Sequence, residues 1–231
     1  MQIDFHTHLL PSLDDGSQSV AETQDLLDAL HTQGVDLAVA TPHFYSNKMG
    51  LDDFLEKRNL AYDLLCSACP DLKPKLLLGA EVSFFRGMGK ADRIGELCIA
   101  GTNVMLIEMP FSQWGYVETA QLHQLLSKGI TPVIAHVERY FSFQKDLTAL
   151  NEIINLPIFL QVNTEALLRW KTRKFIFKLI NRSFPILLGT DCHNMKNRRP
   201  DMTAGRKILE RKYGAAYLAQ LDAMGADLLK M

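Results

Sequence analysis

Short apolar runs alternate with longer stretches of helical period from one end of this chain to the other, and nothing else in the sequence constrains the fold as tightly. The runs lie near Gln2–Phe5, Val35–Thr41, Lys75–Val82, Asn103–Met109, Thr131–His136, Ile158–Asn163 and Ile186–Thr190. Helical spacing fills the intervals over Val20–Gln33, Asp52–Ala68, Val117–Lys128, Leu147–Ile154 and Ala166–Arg182, and again from about Thr203 to the end. Strands separated by helices pair in parallel, because each helix carries the chain back across the sheet. The pattern therefore predicts an α/β fold with a parallel sheet of seven strands. At the first helix, Ser19 precedes Val20 with Glu22 three residues on, a capping-box arrangement, and Gly34 supplies the stop. Gly129 and Gly189 punctuate later units in the same way. With 231 residues, no linker-like segment and no internal repeat, the chain reads as one domain over residues 1–231.

Charge and cysteine usage exclude several classes of function. A formal net charge of −1 gives no global attraction to nucleic acid, so any anion recognition must be local. No stretch reaches the ~20 apolar residues of a membrane span, and the start lacks the layout of a signal peptide, so neither membrane insertion nor export is expected and the cytoplasm is the default location. Cys66, Cys69, Cys98 and Cys192 are too few and scattered for a disulfide framework and read as free thiols. The basic stretch Lys171–Lys178 reads as a solvated helix face.

The chemistry gathers where the apolar runs end. At or just past those ends stand His6 and His8, His43, Glu81, Glu108, His136, Asn163, and Asp191 with His193. Asp14 and Asp15 follow the first pair closely. Only His31 and His123 of the seven histidines fall inside helical stretches instead. In parallel α/β folds the C-terminal ends of strands hold side chains rigidly under the loops that form a pocket. Mixed imidazole and carboxylate donors suit Zn²⁺, Mn²⁺ or Fe²⁺ better than Ca²⁺, and so many donors imply two or three ions. Paired ions can clamp a phosphoryl group and generate hydroxide from water at neutral pH.

The motifs Asp4-Phe5-His6-Thr7-His8, Asp14-Asp15-Gly16, Thr41-Pro42-His43, Gly79-Ala80-Glu81, Ala135-His136-Val137-Glu138-Arg139 and Gly189-Thr190-Asp191-Cys192-His193-Asn194 together resemble the polymerase and histidinol phosphatase (PHP) superfamily. Within it, the opening and the His136-to-Tyr140 segment are most similar to bacterial manganese-dependent protein-tyrosine phosphatases of capsule and exopolysaccharide loci. The resemblance implies a distorted seven-stranded (β/α)7 TIM-like barrel with a trinuclear site. It assigns His6, His8, Glu81 and Asp191 to one ion, Glu81, Glu108 and His136 to a second, and Asp15, His43 and His193 to a third. Either Asp14 or Asp15 can fill the acidic position, and Asp15 is the expected ligand. The expected ion is Mn²⁺, with Fe²⁺, Zn²⁺ or Mg²⁺ as alternatives.

Catalysis on this pattern is in-line attack on phosphorus by metal-bound hydroxide, with no covalent enzyme intermediate. Arg139 and one arginine of the Arg198–Arg199 pair, carried forward as Arg199, are the expected phosphate-binding guanidiniums. Phe44, Tyr45, Trp114 and Tyr116 are candidates to line an entrance for a phosphotyrosine ring. The implied partner is the phosphorylated tail of a bacterial tyrosine autokinase that controls polysaccharide export, while the oligomeric state is left open. Two alternatives are a small-metabolite phosphatase acting on a compound like histidinol phosphate and a noncatalytic phosphotyrosine-binding partner of a kinase. A third competitor is the Cys-x5-Arg spacing of Cys192 and Arg198, the signature of thiolate phosphatases. Its loop contains no glycine to cradle phosphate, which argues for coincidence.

Overall fold

The computed structural model describes residues Met1–Met231. In chain order its strands are β1 (Ile3–Thr7), β2 (Leu37–Ala40), β3 (His43–Phe44), β4 (Lys75–Leu78), β5 (Glu81–Ser83), β6 (Val104–Glu108), β7 (Thr131–Ile134), β8 (Phe159–Asn163) and β9 (Ile186–Gly189). The helices are α1 (Val20–Thr32), α2 (Leu51–Ala68), α3 (Tyr116–Ser127), α4 (Thr148–Ile154), α5 (Thr164–Leu168), α6 (Trp170–Asn181), α7 (Met202–Tyr213) and α8 (Ala215–Leu228). Short 3₁₀ turns occupy Met88–Lys90, Ile94–Leu97, Val137–Arg139 and Phe141–Phe143.

All pairings are parallel, as the alternation predicts, but nine strand segments form two sheets instead of seven strands forming one. One sheet runs β1-β2-β4 and the other β3-β5-β6-β7-β8-β9. The difference arises at two breaks. The expected strand Val35–Thr41 stops at Ala40, where Pro42 offers no backbone donor, and resumes as β3 in the other sheet. The expected Lys75–Val82 breaks at Gly79-Ala80 and passes from β4 to β5 in the same manner. Buried Arg58 donates to the Gly79 carbonyl at 3.0 Å, satisfying an acceptor that the break exposes. Between β1 and β9 the Thr7–Cys192 bridge is supported by bonds from Asp191 N–H to His6 O (2.7 Å) and from His8 N–H to Cys192 O (3.0 Å).

Alternation of side chains along the strands divides the core in two. Ile3 and Phe5, Leu37 and Val39, Val104 and Leu106, Val133 and Ala135, and Leu187 meet in one buried cluster drawn from both sheets. Their neighbours, such as Ala38, Met105, Ile107, Ile134 and Leu188, join the larger cluster that includes the helix residues Leu26, Leu30, Leu122 and Ile176. Two expected helices are also interrupted. Arg169 is extended (φ −93°, ψ 124°) and separates α5 from α6, and Gly214 (φ 85°, ψ 165°) separates α7 from α8 in a backbone region open essentially to glycine. The Ser19 cap forms, its side chain accepting from Glu22 N–H at 3.1 Å. Gly189 is the last residue of β9 and not a helix stop. A Cβ there would come within 2.7 Å of His6 Cβ, so glycine is what lets β9 approach β1.

Candidate metal centre

Because every strand is parallel, the strand ends face one side, and the expected donors converge there. Buried Asp4 ties the ends of β1 and β9 together, accepting from Thr190 N–H (2.9 Å), Thr190 Oγ1–H (2.6 Å) and His6 N–H (3.2 Å). His43 and Glu81 are register partners on β3 and β5, which sets His43 Nδ1 3.0 Å from Glu81 Oε2. His136 (φ 31°) and Asp191 (φ 55°) adopt left-handed backbone, a strain of about 1–3 kcal/mol each that they share with Ser12, Arg93, Ser183 and Lys230.

Each of three histidines has one ring nitrogen engaged so that the other faces inward. His6 Nδ1 meets Gln161 Oε1 at 3.0 Å, His8 Nδ1 meets Asp14 Oδ2 at 2.7 Å, and His193 Nδ1 meets the Asp191 carbonyl at 2.9 Å. With Nδ1–H donating to oxygen, Nε2 carries the lone pair, as in metal-ligating histidines. His6 Nε2 and His8 Nε2 then stand 3.1 Å apart, and lie 3.1 and 3.3 Å from Glu81 Oε2. Asp191 Oδ1 is 3.5 and 3.4 Å from the same two nitrogens. His136 Nε2 approaches Glu81 Oε1 at 2.9 Å and Glu108 Oε1 at 3.8 Å. His43 Nε2 and His193 Nε2 each lie 3.4 Å from Asp15 Oδ1. All nine expected ligands thus occupy one place.

The donor set fits divalent cations. Glu81 Oε2, His43 Nδ1 and His193 Nε2 are buried without a hydrogen-bond partner, and buried acceptors facing one another are costly unless a positive charge sits among them. Three groups bring ligand atoms within 4.8 Å of one another: His6, His8 and Glu81; His43, Glu81 and Glu108; and His8, Asp15, His43 and His193. Grouped by distance, His8 and His43 therefore stand nearer to neighbouring clusters than the single-ion assignments imply.

Without an ion the buried imidazoles and carboxylates balance one another's charge: burial lowers His6 and His8, but Glu81 and Asp191 beside His6, and Asp14, Asp191 and Glu81 beside His8, raise both, so a bound cation would displace protons from them. Burial alone pushes the Glu81 carboxyl up, but His6, His136 and His43 around it hold it well below the usual carboxylate range. Asp191 behaves likewise, burial being outweighed by His6, His8 and Arg139. His193 is lowered to about 4 by burial, then by His8 and Arg198, which keeps it neutral with a lone pair available. Burial and the Glu81 charge raise Glu108.

Asp14 and Asp15 have different surroundings. Asp14 Oδ2 accepts from His8 and from the His43 N–H (3.0 Å), and its Oδ1 from the Gly16 N–H (2.9 Å), so it orients His8. Asp15 faces His43 and His193. Gly16 is required here, since a Cβ would fall 2.3 Å from the His8 carbonyl oxygen. Arg139 Nη2 donates to Asp191 Oδ2 at 2.6 Å, and Arg198 Nη2 approaches Asp191 Oδ1 at 2.7 Å. Of the pair, Arg198 places its guanidinium on the cluster, while Arg199, the expected one, is exposed on the wall of the ≈ 930 Å³ cleft that Arg139, Asp191 and Arg198 also line.

The expected aromatic entrance is largely core. Phe44, the last residue of β3, packs on Phe54 of α2, and Trp114 packs on Tyr140; both are buried, while Tyr116 is exposed at the start of α3. Only Tyr45 meets the site, stacked on His43 with centroids 5.1 Å apart. A second ring escaped the sequence reading: Phe111, 45 % exposed, lies nearly parallel to His136 at 6.0 Å. Gln161 was also missed. It receives the His136 N–H at 2.7 Å as well as meeting His6, and its only signal was a lone amide within the apolar run of β8. Cys192 is fully buried, and burial pushes its thiol well above its ordinary value, the opposite of an activated nucleophile.

Parallel strands ending on a buried nest of imidazole and carboxylate donors define a class: an α/β protein with a candidate multinuclear metal centre at the strand ends. The chain belongs to the capsular polysaccharide synthesis family CpsB/CapC, whose pattern it matches over residues 2–229. It is 26 % identical over 229 residues to the tyrosine-protein phosphatase CpsB of Streptococcus agalactiae serotype III, covering 95 % of this chain and 94 % of that one. The tyrosine-protein phosphatase CpsB of Streptococcus pneumoniae is 28 % identical over 238 residues, with 95 % and 94 % covered. Among solved structures, that of YwqE from Bacillus subtilis and CpsB from S. pneumoniae, described as metal-dependent tyrosine phosphatases, superposes with a TM-score of 0.82 at 24 % identity, covering 98 % of this chain and 94 % of that one.

Proposed function

We propose that this chain is a metal-dependent protein-tyrosine phosphatase. The observation that carries the reading is Glu81 Oε2, buried and without a hydrogen bond, with nitrogens of His6, His8 and His43 at 3.1, 3.3 and 3.0 Å. Family membership and the names of its relatives support it. His6, His8, Glu81 and Asp191, with Glu108, His136, Asp15, His43 and His193, would hold two or three ions, for which Mn²⁺ suits the mixed donors, with Fe²⁺, Zn²⁺ and Mg²⁺ as alternatives. When bound, such ions supply Lewis-acid polarisation of phosphoryl oxygens and a nucleophile drawn from water at neutral pH.

The chain's own groups then bind and orient. Arg139 and Arg198 present guanidiniums to the two oxygens of Asp191 and are sited to donate to phosphoryl oxygens by the same geometry. Asp14 and Gln161 are placed to accept from Nδ1–H of His8 and His6, which would leave Nε2 of each for an ion. Phe111 and Tyr45, on His136 and His43, would flank an aryl group. We read the two sheets as halves of one distorted seven-stave barrel forming a single domain, a reading supported by the inner cluster that spans both sheets and by the Thr7–Cys192 bridge. The substrate on this reading is the phosphorylated tail of a bacterial tyrosine kinase of polysaccharide export, met in the cytoplasm.

Steady-state rates separate a tyrosine phosphatase from a metabolite phosphatase. A phosphotyrosyl peptide should be hydrolysed with a kcat/KM well above that of histidinol phosphate. Phe111→Ala should raise KM for the peptide several-fold with a smaller change in kcat. Preference for the alkyl phosphate would overturn the reading.

A further inference from the structure

Val137 and Glu138, the two residues between His136 and Arg139, line a second cavity of ≈ 680 Å³ that none of the candidate ligands enters. Its walls are apolar, built from Phe141, Leu147, Leu150, Ile154, Phe175 and Leu179 of the segments around α4 and α6. Its rim is basic. Lys171, Lys174, Lys178 and Arg182 are exposed along it; spacings of three and four residues set the three lysines on one face of α6 with Phe175 between them, and Arg182 stands just past the helix end beyond Leu179. No acid occurs from Ala166 to Thr190, a local excess of positive charge in a chain whose net charge is −1. Glu138 is the one acid in the lining; it is 8 % exposed, and its Oε2 has no hydrogen-bond partner.

A basic helix face that is merely solvated has no need of an apolar cavity beneath it. Here the lysines edge a concavity of the size that receives a side chain or small ligand. We propose that this cavity docks an acidic peptide segment of the phosphotyrosyl substrate, with an aromatic side chain in the apolar interior and carboxylates against Lys171, Lys174, Lys178 and Arg182. The buried oxygen of Glu138 selects an anchor whose tip carries an O–H or N–H donor, as Tyr and Trp do. The position beside His136 and Arg139 lets one chain occupy both sites. Concavity favours a peptide over an anionic membrane, which is engaged by protruding apolar groups. This inference rests on the reading that the substrate is a phosphotyrosyl protein chain.

The test uses the metal-loaded full-length protein and a fluorescent, unphosphorylated peptide of Asp and Glu around one Tyr. Anisotropy should show binding that weakens at least tenfold in the variant Lys171→Glu/Lys174→Glu/Lys178→Glu. Phe141→Ala/Leu147→Ala, which removes apolar wall without changing charge, should also weaken it. Hydrolysis of p-nitrophenyl phosphate should be unchanged in both variants, whereas kcat/KM should fall only for a phosphotyrosyl peptide that carries the acidic arm. Equal binding by wild type and variants, or binding to phosphatidylglycerol vesicles in place of the peptide, would overturn the proposal. Peptide binding that depends on the lysines in a protein with no phosphatase activity would uphold the cavity and overturn the phosphatase reading.

Discussion

At the scale of single residues, function depends on side chains whose individual chemistry is ordinary and whose company is not. His6 and His8 could be packed core histidines. What distinguishes them is that Gln161 and Asp14 engage one nitrogen of each while the other faces Glu81. Replacing both with Ala should strip metal and phosphatase activity while leaving the far-UV circular dichroism of the fold intact, since neither belongs to the apolar clusters. Unchanged metal content would contradict the site. Asp4 makes a different prediction. Burial raises its carboxyl to about 7 against bonds from Thr190 and His6 that favour the charge. Its folded value lies above its unfolded one, so its contribution to stability is full below about 4 and is lost as pH rises through about 7. In metal-free protein, the Tm advantage of wild type over Asp4→Asn should shrink from pH 4 to pH 8, and a gap that widens would reverse the sign. The donors themselves were legible in the sequence because His and acid residues recurred at strand ends. Which of Arg198 and Arg199 lies against Asp191 was not, because it depends on how the loop after β9 folds, where Asn194 Oδ1 accepts from the N–H groups of Lys196 (3.0 Å), Asn197 (3.0 Å) and Arg198 (3.3 Å).

At the scale of elements, periodicity revealed where strands and helices lie but not where each is interrupted. Pro42, Gly79 and Gly214 were visible as residues, yet whether each bends, breaks or merely decorates an element depends on tertiary contacts such as Arg58 reaching the Gly79 carbonyl. The aromatic residues show the same limit: Phe44 and Phe111 both follow the ends of apolar runs, and only packing sends one into the core and the other over His136. Gly214 permits a test. At φ 85° and ψ 165° a side chain is strained, so Gly214→Ala should cost about 1–3 kcal/mol in urea unfolding, with α7 and α8 separating where they now meet. A neutral substitution would mean that the joint relaxes freely. Ser19→Ala at the start of α1 should cost about 0.5–2 kcal/mol by removing the bond to Glu22 N–H.

At the scale of the whole molecule, two parallel sheets bring residues from distant parts of the chain, His6 to His193, into one cluster above a shared apolar interior. That arrangement separates stability from chemistry: the inner cluster holds the strands, and the strand ends are left to hold charge. The alternation in the sequence was enough to predict parallel pairing, and the motifs were enough to place all nine candidate ligands together. Sheet division was not legible, since hydrogen-bond closure depends on the twist accumulated over every strand. Family membership joins this architecture to capsular polysaccharide synthesis. The central claim, that chemistry here depends on bound metal and not on the buried thiol of Cys192, is tested most directly by phosphate release from a phosphotyrosyl peptide. Metal content should be assayed in parallel, before and after chelation. The account predicts two or three divalent ions per chain, release abolished by chelation and restored by Mn²⁺, and near wild-type release by Cys192→Ser. Release that survives complete removal of metal, or that disappears in Cys192→Ser with metal retained, would contradict it.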